Sequence, residues 1–186
     1  MKLAWGIYLA GASYPKDARI EAEVTRRIAP VFGRWTSQQS LLDEASGSRF
    51  EGNPGRRLAG LSRVVPYDAA ARGLVLLGRS SGGRVATVFA GLRPVSAVIC
   101  LGYPFRHPTG PREPERFAHL AHMTTPTLIL QGRSDVYGGA SLRQDYPLSD
   151  RVRLEFLDCG HEFQLDPQGW DRVGDRILSF LAALQR

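Results

Sequence analysis

A serine between glycines follows an apolar run near the middle of the chain. Residues 78–82 read Gly-Arg-Ser-Ser-Gly, which matches the pattern G-x-S-x-G, and they lie between the apolar residues 74–77 and a predicted helix. In a strand–turn–helix setting, this pattern raises a strained serine hydroxyl above the sheet. A glycine-rich phosphate loop is the alternative, but the segment has neither a Walker lysine nor the spacing of a dinucleotide fingerprint. We therefore predict that Ser80 is a nucleophile.

A serine hydroxyl needs a base to take its proton, and the chain has four histidines. His161 follows the last predicted strand in Asp-Cys-Gly-His and precedes the last predicted helix. His107, His119 and His122 lie in or near a proline-rich segment, where surface or lid positions are expected, although His107 is also a candidate for substrate contact. We predict that His161 is the general base.

The imidazole of such a base is oriented by a carboxylate. Asp135 follows a predicted strand that comes after the nucleophile and before the histidine, which gives the chain order Ser, Asp, His expected for a serine on this kind of turn. Asp158 is closer to His161 in sequence, but triad partners meet through the fold, and we interpret Asp158 as a turn residue. Asp135 is the predicted acid.

A negatively charged tetrahedral intermediate needs two N–H donors. We predict that they are the backbone N–H groups of Ser81, at the start of a helix, and of Ala12, in the loop after the first strand. Gly11, Phe105 and Tyr137 are the predicted substrate-contact residues, although the two aromatic side chains are equally compatible with the core. This chemistry requires no metal ion and no cofactor.

These residues must be positioned by an alternation of short apolar runs and helical stretches, which predicts a parallel sheet covered by helices. Six strands are predicted, at residues 5–9, 31–35, 74–77, 95–101, 127–131 and 152–157. We expect an α/β fold in a single domain over residues 1–186, with a mainly parallel sheet of about six strands and helices on both faces.

The apolar spacing also predicts the helices. Asp17 is expected to cap a helix that buries three residues spaced four apart, namely Ile20, Val24 and Ile28. A helix is expected around residues 57–64, within the poorly defined region 38–67. The last helix is expected to bury one face, formed by Trp170, Val173, Ile177, Leu181 and Leu184.

Four prolines lie between residues 104 and 116, at positions 104, 108, 111 and 114. Such a segment cannot form a regular helix. It follows a strand, where loops that cover substrates are often found, so we interpret it either as a lid or as a plain connecting loop.

Composition excludes several classes of protein. The chain has 186 residues, enough for one core, and no stretch with the roughly 20 apolar residues of a membrane span. Its first twelve residues resemble a signal peptide but are shorter than the usual length of about 15 to 30 residues. We interpret them as a core strand plus an active-site loop, and we expect a cytoplasmic protein that does not bind membranes.

The formal net charge of +6 comes mainly from arginines. They are scattered through the chain rather than interleaved with aromatic residues in a basic run, so we expect solvated side chains and no nucleic-acid partner. Two cysteines are too few for a disulfide framework. Cys100 is expected to be buried, and a catalytic role for Cys159 is the less favoured interpretation.

Several motifs together resemble a known family. They are Leu-Leu-Gly-Arg-Ser-Ser-Gly-Gly-Arg-Val-Ala at 76–86, Cys-Leu-Gly-Tyr-Pro-Phe at 100–105, Pro-Thr-Leu-Ile-Leu-Gln-Gly-Arg-Ser-Asp at 126–135 and Cys-Gly-His at 159–161. In combination they resemble small α/β-hydrolases of the dienelactone-hydrolase-like branch, closest to the hydrolases of the testis-expressed and NSL-complex-subunit type. The resemblance implies the α/β-hydrolase fold and the three triad positions, but no substrate.

Two departures from that family concern the beginning of the chain. The family usually has His-Gly after the first strand, where this chain has Ala10 and Gly11, so the oxyanion loop is expected to differ. Because the chain starts at the strand that bears this loop, the sheet is expected to lack the earliest strands of larger hydrolases.

The hypothesis from these observations is a serine hydrolase that cleaves a small ester or thioester through an acyl-enzyme. The alternative is a hydrolase fold kept as a binding or scaffold module with little turnover. The acyl group, the alcohol and the oligomeric state are left open.

Overall fold

Six parallel strands form one sheet in the order β2-β1-β3-β4-β5-β6. The computed structural model describes residues 3–44, 50, 52–68 and 73–184. The strands are β1 (Leu3–Leu9), β2 (Phe32–Thr36), β3 (Leu74–Arg79), β4 (Ala97–Leu101), β5 (Thr127–Gly132) and β6 (Val152–Leu157). The predicted fold class and all six predicted strands are confirmed, with shifts of one or two residues at six of the twelve strand ends. The assignment of residues 1–186 to a single domain stays a prediction.

The central strands are buried on both faces, which explains their continuous apolar runs. Every residue of β3, β4 and β5 is buried. Successive side chains of a strand point to opposite faces. Leu74 and Leu76 of β3 accordingly join one hydrophobic cluster, whereas Val75 and Leu77 join the other. The sheet therefore separates two cores.

Helices cover both faces, as predicted. They are α1 (Ala18–Ile28), α2 (Gln38–Glu44), α3 (Pro54–Val64), α4 (Ser81–Leu92), α5 (Leu142–Asp145) and α6 (Pro167–Ala183), with 3₁₀ turns at Ala29–Val31, Pro114–Arg116 and Ala118–His122. Helices α1 and α6 pack on one face, and α3 and α4 share the other. Among the residues described, no helix is both long and apolar enough to cross a membrane.

Three details of the helices differ from expectation. Helix α2 lies in the region where the sequence pattern was too weak to predict it. Helix α6 ends at Ala183, so Leu184 is 38% exposed rather than part of the buried face. Asp17 precedes α1 but makes no side-chain capping bond, because its buried carboxylate faces Arg79 instead.

The order of the strands in the sheet indicates where a ligand site is expected. After β1, the chain first forms β2, which pairs with one edge of β1, and then crosses to β3, which pairs with the other edge of β1. Loops that leave the carboxyl ends of neighbouring strands diverge at such a switch point and open a crevice, where α/β sheets bind ligands. The loop after β1 begins at Ala10, and the turn after β3 carries Ser80.

Candidate active site

Ser80 lies at a strained turn between β3 and α4. Its backbone has φ 48° and ψ −118°, a region that costs a non-glycine residue about 1 to 3 kcal/mol. The glycines on either side allow the tight approach. A Cβ atom on Gly82 would lie 2.0 Å from the carbonyl oxygen of Leu9, and one on Gly78 would lie 2.4 Å from the nitrogen of Gly83. This backbone is the strained strand–turn–helix geometry that the pentapeptide predicts, and the role of Ser80 as nucleophile stays a prediction.

The structure brings the three predicted triad residues together from distant parts of the chain. Nε2 of His161 lies 3.1 Å from Oγ of Ser80, and Nδ1 of His161 lies 2.8 Å from Oδ2 of Asp135. The loop after β6 carries the histidine, and the loop after β5 carries the aspartate. The carboxylate fixes the tautomer, because Nδ1 must carry the proton that it donates to Asp135, which leaves Nε2 free to accept a proton.

Asp135 is held rigidly. Its side chain has no exposed surface, and Oδ2 also accepts a hydrogen bond from Nε2 of Gln131 at 2.8 Å. Oδ1 accepts from the backbone N–H of Tyr137 at 2.8 Å. The competing Asp158 has a side chain that is 93% exposed and pairs with Arg133 at the surface. The geometry therefore favours Asp135 as the partner of the histidine.

The loop after β1 lies against the serine. A Cβ atom on Gly11 would be 3.3 Å from Cβ of Ser80 and 3.0 Å from Oδ2 of Asp17, so no larger residue fits without displacement. Ala12 follows at the exposed edge of this loop, and Ser81 is the first residue of α4. The two segments expected to supply oxyanion donors thus flank Ser80. The donor roles of Ala12 and Ser81 stay predictions.

The two aromatic residues predicted to contact substrate lie in different environments. The ring of Tyr137 packs 4.3 Å from the ring of His161 and borders the site. Phe105 has no exposed surface and lies between Tyr103 and Tyr146, with ring centroids at 4.8 and 5.1 Å. A fully enclosed side chain cannot contact a bound substrate, so the expectation for Phe105 is corrected, and this residue belongs to the core.

The proline-rich segment is anchored beside the site. The N–H of Arg106 donates to the carbonyl oxygen of Tyr137 at 3.1 Å, and residues 106–112 are exposed. His107 stands near the ring of Tyr137, with centroids 6.4 Å apart, whereas His119 bonds Thr87. A covering role for residues 104–116 stays a prediction.

Arg79, the second residue of the pentapeptide, is a site residue that the sequence analysis missed. Its side chain is 2% exposed, contrary to the expectation of solvated arginines. Nη1 lies 3.1 Å from Nε2 of His161, and Nη2 donates to the carbonyl oxygen of the same histidine at 2.8 Å. Nε lies 3.9 Å from Oδ2 of Asp17. A charged residue at the end of an otherwise apolar strand is the feature that could have identified it.

Neither cysteine has the environment of a nucleophile. Burial raises the pKa of Cys159 to about 11, and the carboxylates of Asp135 and Asp158 act in the same direction. Cys100 is fully buried, and burial raises its pKa further. Both thiols are therefore protonated at neutral pH, whereas a nucleophilic cysteine reacts as the thiolate.

Comparison with known proteins identifies the family. The pattern of the family described as alpha/beta hydrolase domain matches residues 45–172. The chain belongs to this α/β hydrolase family. No curated protein sequence matches this hydrolase.

Three solved structures resemble this chain over at least 96% of its length. A protein from Xanthomonas campestris described as a hydrolase of the alpha/beta superfamily is 18% identical, with a TM-score of 0.64, over all of this chain and 99% of its own. An alpha-beta serine hydrolase homologue from Coxiella burnetii is 17% identical, with a TM-score of 0.70, over 96% of this chain and 85% of its own. A monoacylglycerol lipase from Paleococcus ferrophilus is 12% identical, with a TM-score of 0.70, over 98% of this chain and 95% of its own. Identities this low show the shared fold alone, and family and fold together support hydrolase activity.

Proposed function

We propose that this hydrolase is a serine esterase, which cleaves a small ester or thioester through an acyl-enzyme. The observation that carries the proposal is the continuous chain of hydrogen-bond distances from Ser80 through His161 to the buried Asp135. A strained serine, a base within reach and an acid that orients the base are the three parts that nucleophilic catalysis needs.

The first half of the proposed reaction forms the acyl-enzyme. Oγ of Ser80 attacks the ester carbonyl while Nε2 of His161 takes the hydroxyl proton. Asp135 stabilises the imidazolium that results. The carbonyl oxygen becomes an oxyanion, which the N–H groups of Ser81 and Ala12 stabilise. Collapse of the tetrahedral intermediate breaks the ester bond, and His161 gives its proton to the leaving alcohol or thiol.

The second half repeats these steps with water. His161 takes a proton from a water molecule that attacks the acyl-enzyme, and the second tetrahedral intermediate expels Ser80. The carboxylic acid leaves, and Ser80 regains its proton from His161.

We further propose that the hydrolase belongs to the dienelactone-hydrolase-like branch, on the motifs at residues 76–86, 100–105, 126–135 and 159–161. A cytoplasmic location and a small-molecule ester as the partner, rather than a membrane or a nucleic acid, are part of this proposal. The exclusion of a nucleic acid is supported by arginines that make contacts within the protein: Arg27 pairs with Asp171, Arg93 donates to carbonyl oxygens, and Arg79 reaches His161.

One observation favours the alternative of a binding module. Nη1 of Arg79 lies 3.1 Å from Nε2 of His161, so a cation faces the nitrogen that must accept the serine proton. A guanidinium in this position competes with the serine hydroxyl for the single lone pair of that nitrogen and slows turnover if it cannot move away.

The test is a panel of p-nitrophenyl esters of increasing acyl length, hydrolysed by wild type, Ser80→Ala, His161→Ala and the double variant. Since triad residues act as a unit, each single variant should lose most activity, and the double variant should be little worse than either. Cys159→Ser serves as the control and should retain activity. Hydrolysis that survives in Ser80→Ala would contradict the proposal, and a folded wild type inactive on all esters favours the binding module.

A further inference from the structure

Arg57, an arginine of helix α3, reaches into the space between the loop after β1 and the start of α4. Its Nη2 donates to the carbonyl oxygen of Ala10 at 2.6 Å, and its Nη1 donates to the side-chain oxygen of Ser81 at 3.1 Å. One guanidinium group therefore binds two segments that are far apart in the sequence. Nothing in the proposed proton transfers uses this residue.

The two segments are those expected to form the oxyanion hole. Ala10 lies two residues before Ala12, whose N–H is one predicted donor. Ser81 supplies the other predicted donor from its own backbone. The distance between the two donors depends on how closely the loop after β1 approaches the first turn of α4, and a planar guanidinium with donors in a fixed fork sets such a distance better than a flexible ammonium.

We infer that Arg57 is a positioning residue that sets the geometry of the oxyanion hole by binding the Ala10 carbonyl and the Ser81 hydroxyl together. This inference rests on the proposed function, since it assigns Arg57 a role in the same reaction. The residue does not touch the reacting atoms and acts only through the two segments that it joins.

The surroundings of Arg57 keep its guanidinium charged and oriented. Burial lowers the pKa of Arg57 to about 10, and the carboxylate of Asp17 opposes that shift, so the side chain is a cation at neutral pH. Its guanidinium carbon lies 4.9 Å from the ring centroid of Phe50, which stacks against the cation.

The test compares Arg57→Gln with Arg63→Gln, which removes the same charge from an exposed position of the same helix. Loss of one oxyanion donor typically costs a factor of about 100 to 1000 in kcat, and a displaced donor should cost less, about 10- to 100-fold. We expect this fall in kcat for Arg57→Gln on p-nitrophenyl acetate, with KM changed by less than about threefold, whereas Arg63→Gln behaves as wild type. An unchanged kcat in folded Arg57→Gln would overturn the inference.

Two further variants separate the role of geometry from those of charge and folding. Arg57→Lys retains the charge without the fork, so its kcat should stay low, and full recovery would overturn the positioning role. Ser81→Ala removes only the side-chain acceptor and retains the backbone N–H. It should lower kcat in the same direction, and it should add little in the Arg57→Gln background. If Arg57→Gln does not fold, the positioning role is tested with Ser81→Ala and Arg57→Lys instead. Wild-type kcat in both variants would overturn the inference.

The rate of labelling by a fluorophosphonate distinguishes failure of the proposed function from failure of the role inferred for Arg57, because phosphonylation of Ser80 uses the same oxyanion hole. If wild type is neither labelled nor active, the proposed function fails and the inference fails with it. If wild type is labelled and Arg57→Gln is labelled equally fast, the proposed function stands and only the inference is wrong.

Discussion

Nη1 of Arg79 and Oγ of Ser80 both lie 3.1 Å from the same atom, Nε2 of His161. A neutral imidazole offers one lone pair at that nitrogen, so two donors share it. When Nε2 takes the serine proton, it can no longer accept from Arg79, which keeps its bond to the histidine carbonyl oxygen and its pairing with Asp17. The buried cation is thus part of the resting geometry of the site, and proton transfer must disrupt its contact with Nε2.

Replacement of Arg79 should destabilise the protein. Arg79→Met leaves the buried carboxylate of Asp17 without its cation and the carbonyl oxygen of His161 without its donor, and breaking such a buried pair costs about 3 kcal/mol. Urea unfolding should show this loss of free energy, while Arg172→Met on the exposed side of α6 should show almost none. Asp17→Asn should restore part of the loss in the Arg79→Met background, and a wild-type unfolding midpoint in Arg79→Met would contradict the pairing.

The identity of the acid is tested by two matched amide substitutions. Asp135→Asn retains the shape of the side chain but removes the charge that stabilises the imidazolium, so kcat on p-nitrophenyl acetate should fall by about 10⁴-fold. Asp158→Asn, at an exposed position on the neighbouring loop, should leave kcat unchanged. The reverse pattern would move the acid role to Asp158.

The turn around Ser80 requires glycine at position 82. Gly82→Ala places a Cβ atom 2.0 Å from the backbone oxygen of Leu9, and because backbone cannot move away cheaply, we expect a loss of about 3 kcal/mol or more together with loss of esterase activity. Gly60→Ala in α3 is the matched control, since its Cβ meets nothing within 4 Å and alanine favours helix by up to about 1 kcal/mol. A Gly82→Ala variant as stable as wild type would refute the packing described.

Stability should fall as the pH is lowered toward 5. Burial first, and then the nearby charge of Arg84, lower the pKa of His119 from its ordinary value of 6.5. Below pH 6.5 the unfolded chain therefore binds a proton at this histidine that the folded protein resists, so stability falls as the pH drops from 6.5 to the folded-state pKa. His119→Gln should reduce this slope in urea titrations at pH 7.5 and 5.5, and the exposed His122→Gln should not. Identical slopes in all three proteins would count against the assignment.

Sequence patterns predicted the parts of this fold that depend on local chemistry. The buried strands β3 to β5 are continuous apolar runs, and the turn at Ser80 follows from its glycines and its place between strand and helix. Chain order and a place in the loop after a strand favour Asp135 over Asp158. These features need no knowledge of which distant residues meet.

The remaining parts of the site depend on contacts between residues that are far apart in the sequence. Such contacts cannot be predicted from the pattern of a single sequence. Arg79 meets His161 across 82 positions, and Arg57 meets Ala10 across 47. In sequence, Arg57 looks like any other surface arginine, and Arg79 differs only in its place at the end of an apolar strand. Phe105 is an example of a residue expected at the site that lies in the core instead. An aromatic residue after a strand is compatible with a pocket wall or a core, and only the positions of the surrounding rings distinguish the two.

The most direct test of the central claim is covalent labelling of the folded protein with a fluorophosphonate, followed by intact mass and peptide mapping. We predict one adduct per chain, located on Ser80, that is absent from Ser80→Ala and formed far more slowly in His161→Ala. A folded wild-type protein without an adduct, or with an adduct on another residue that persists in Ser80→Ala, would contradict the assignment of Ser80 as the nucleophile.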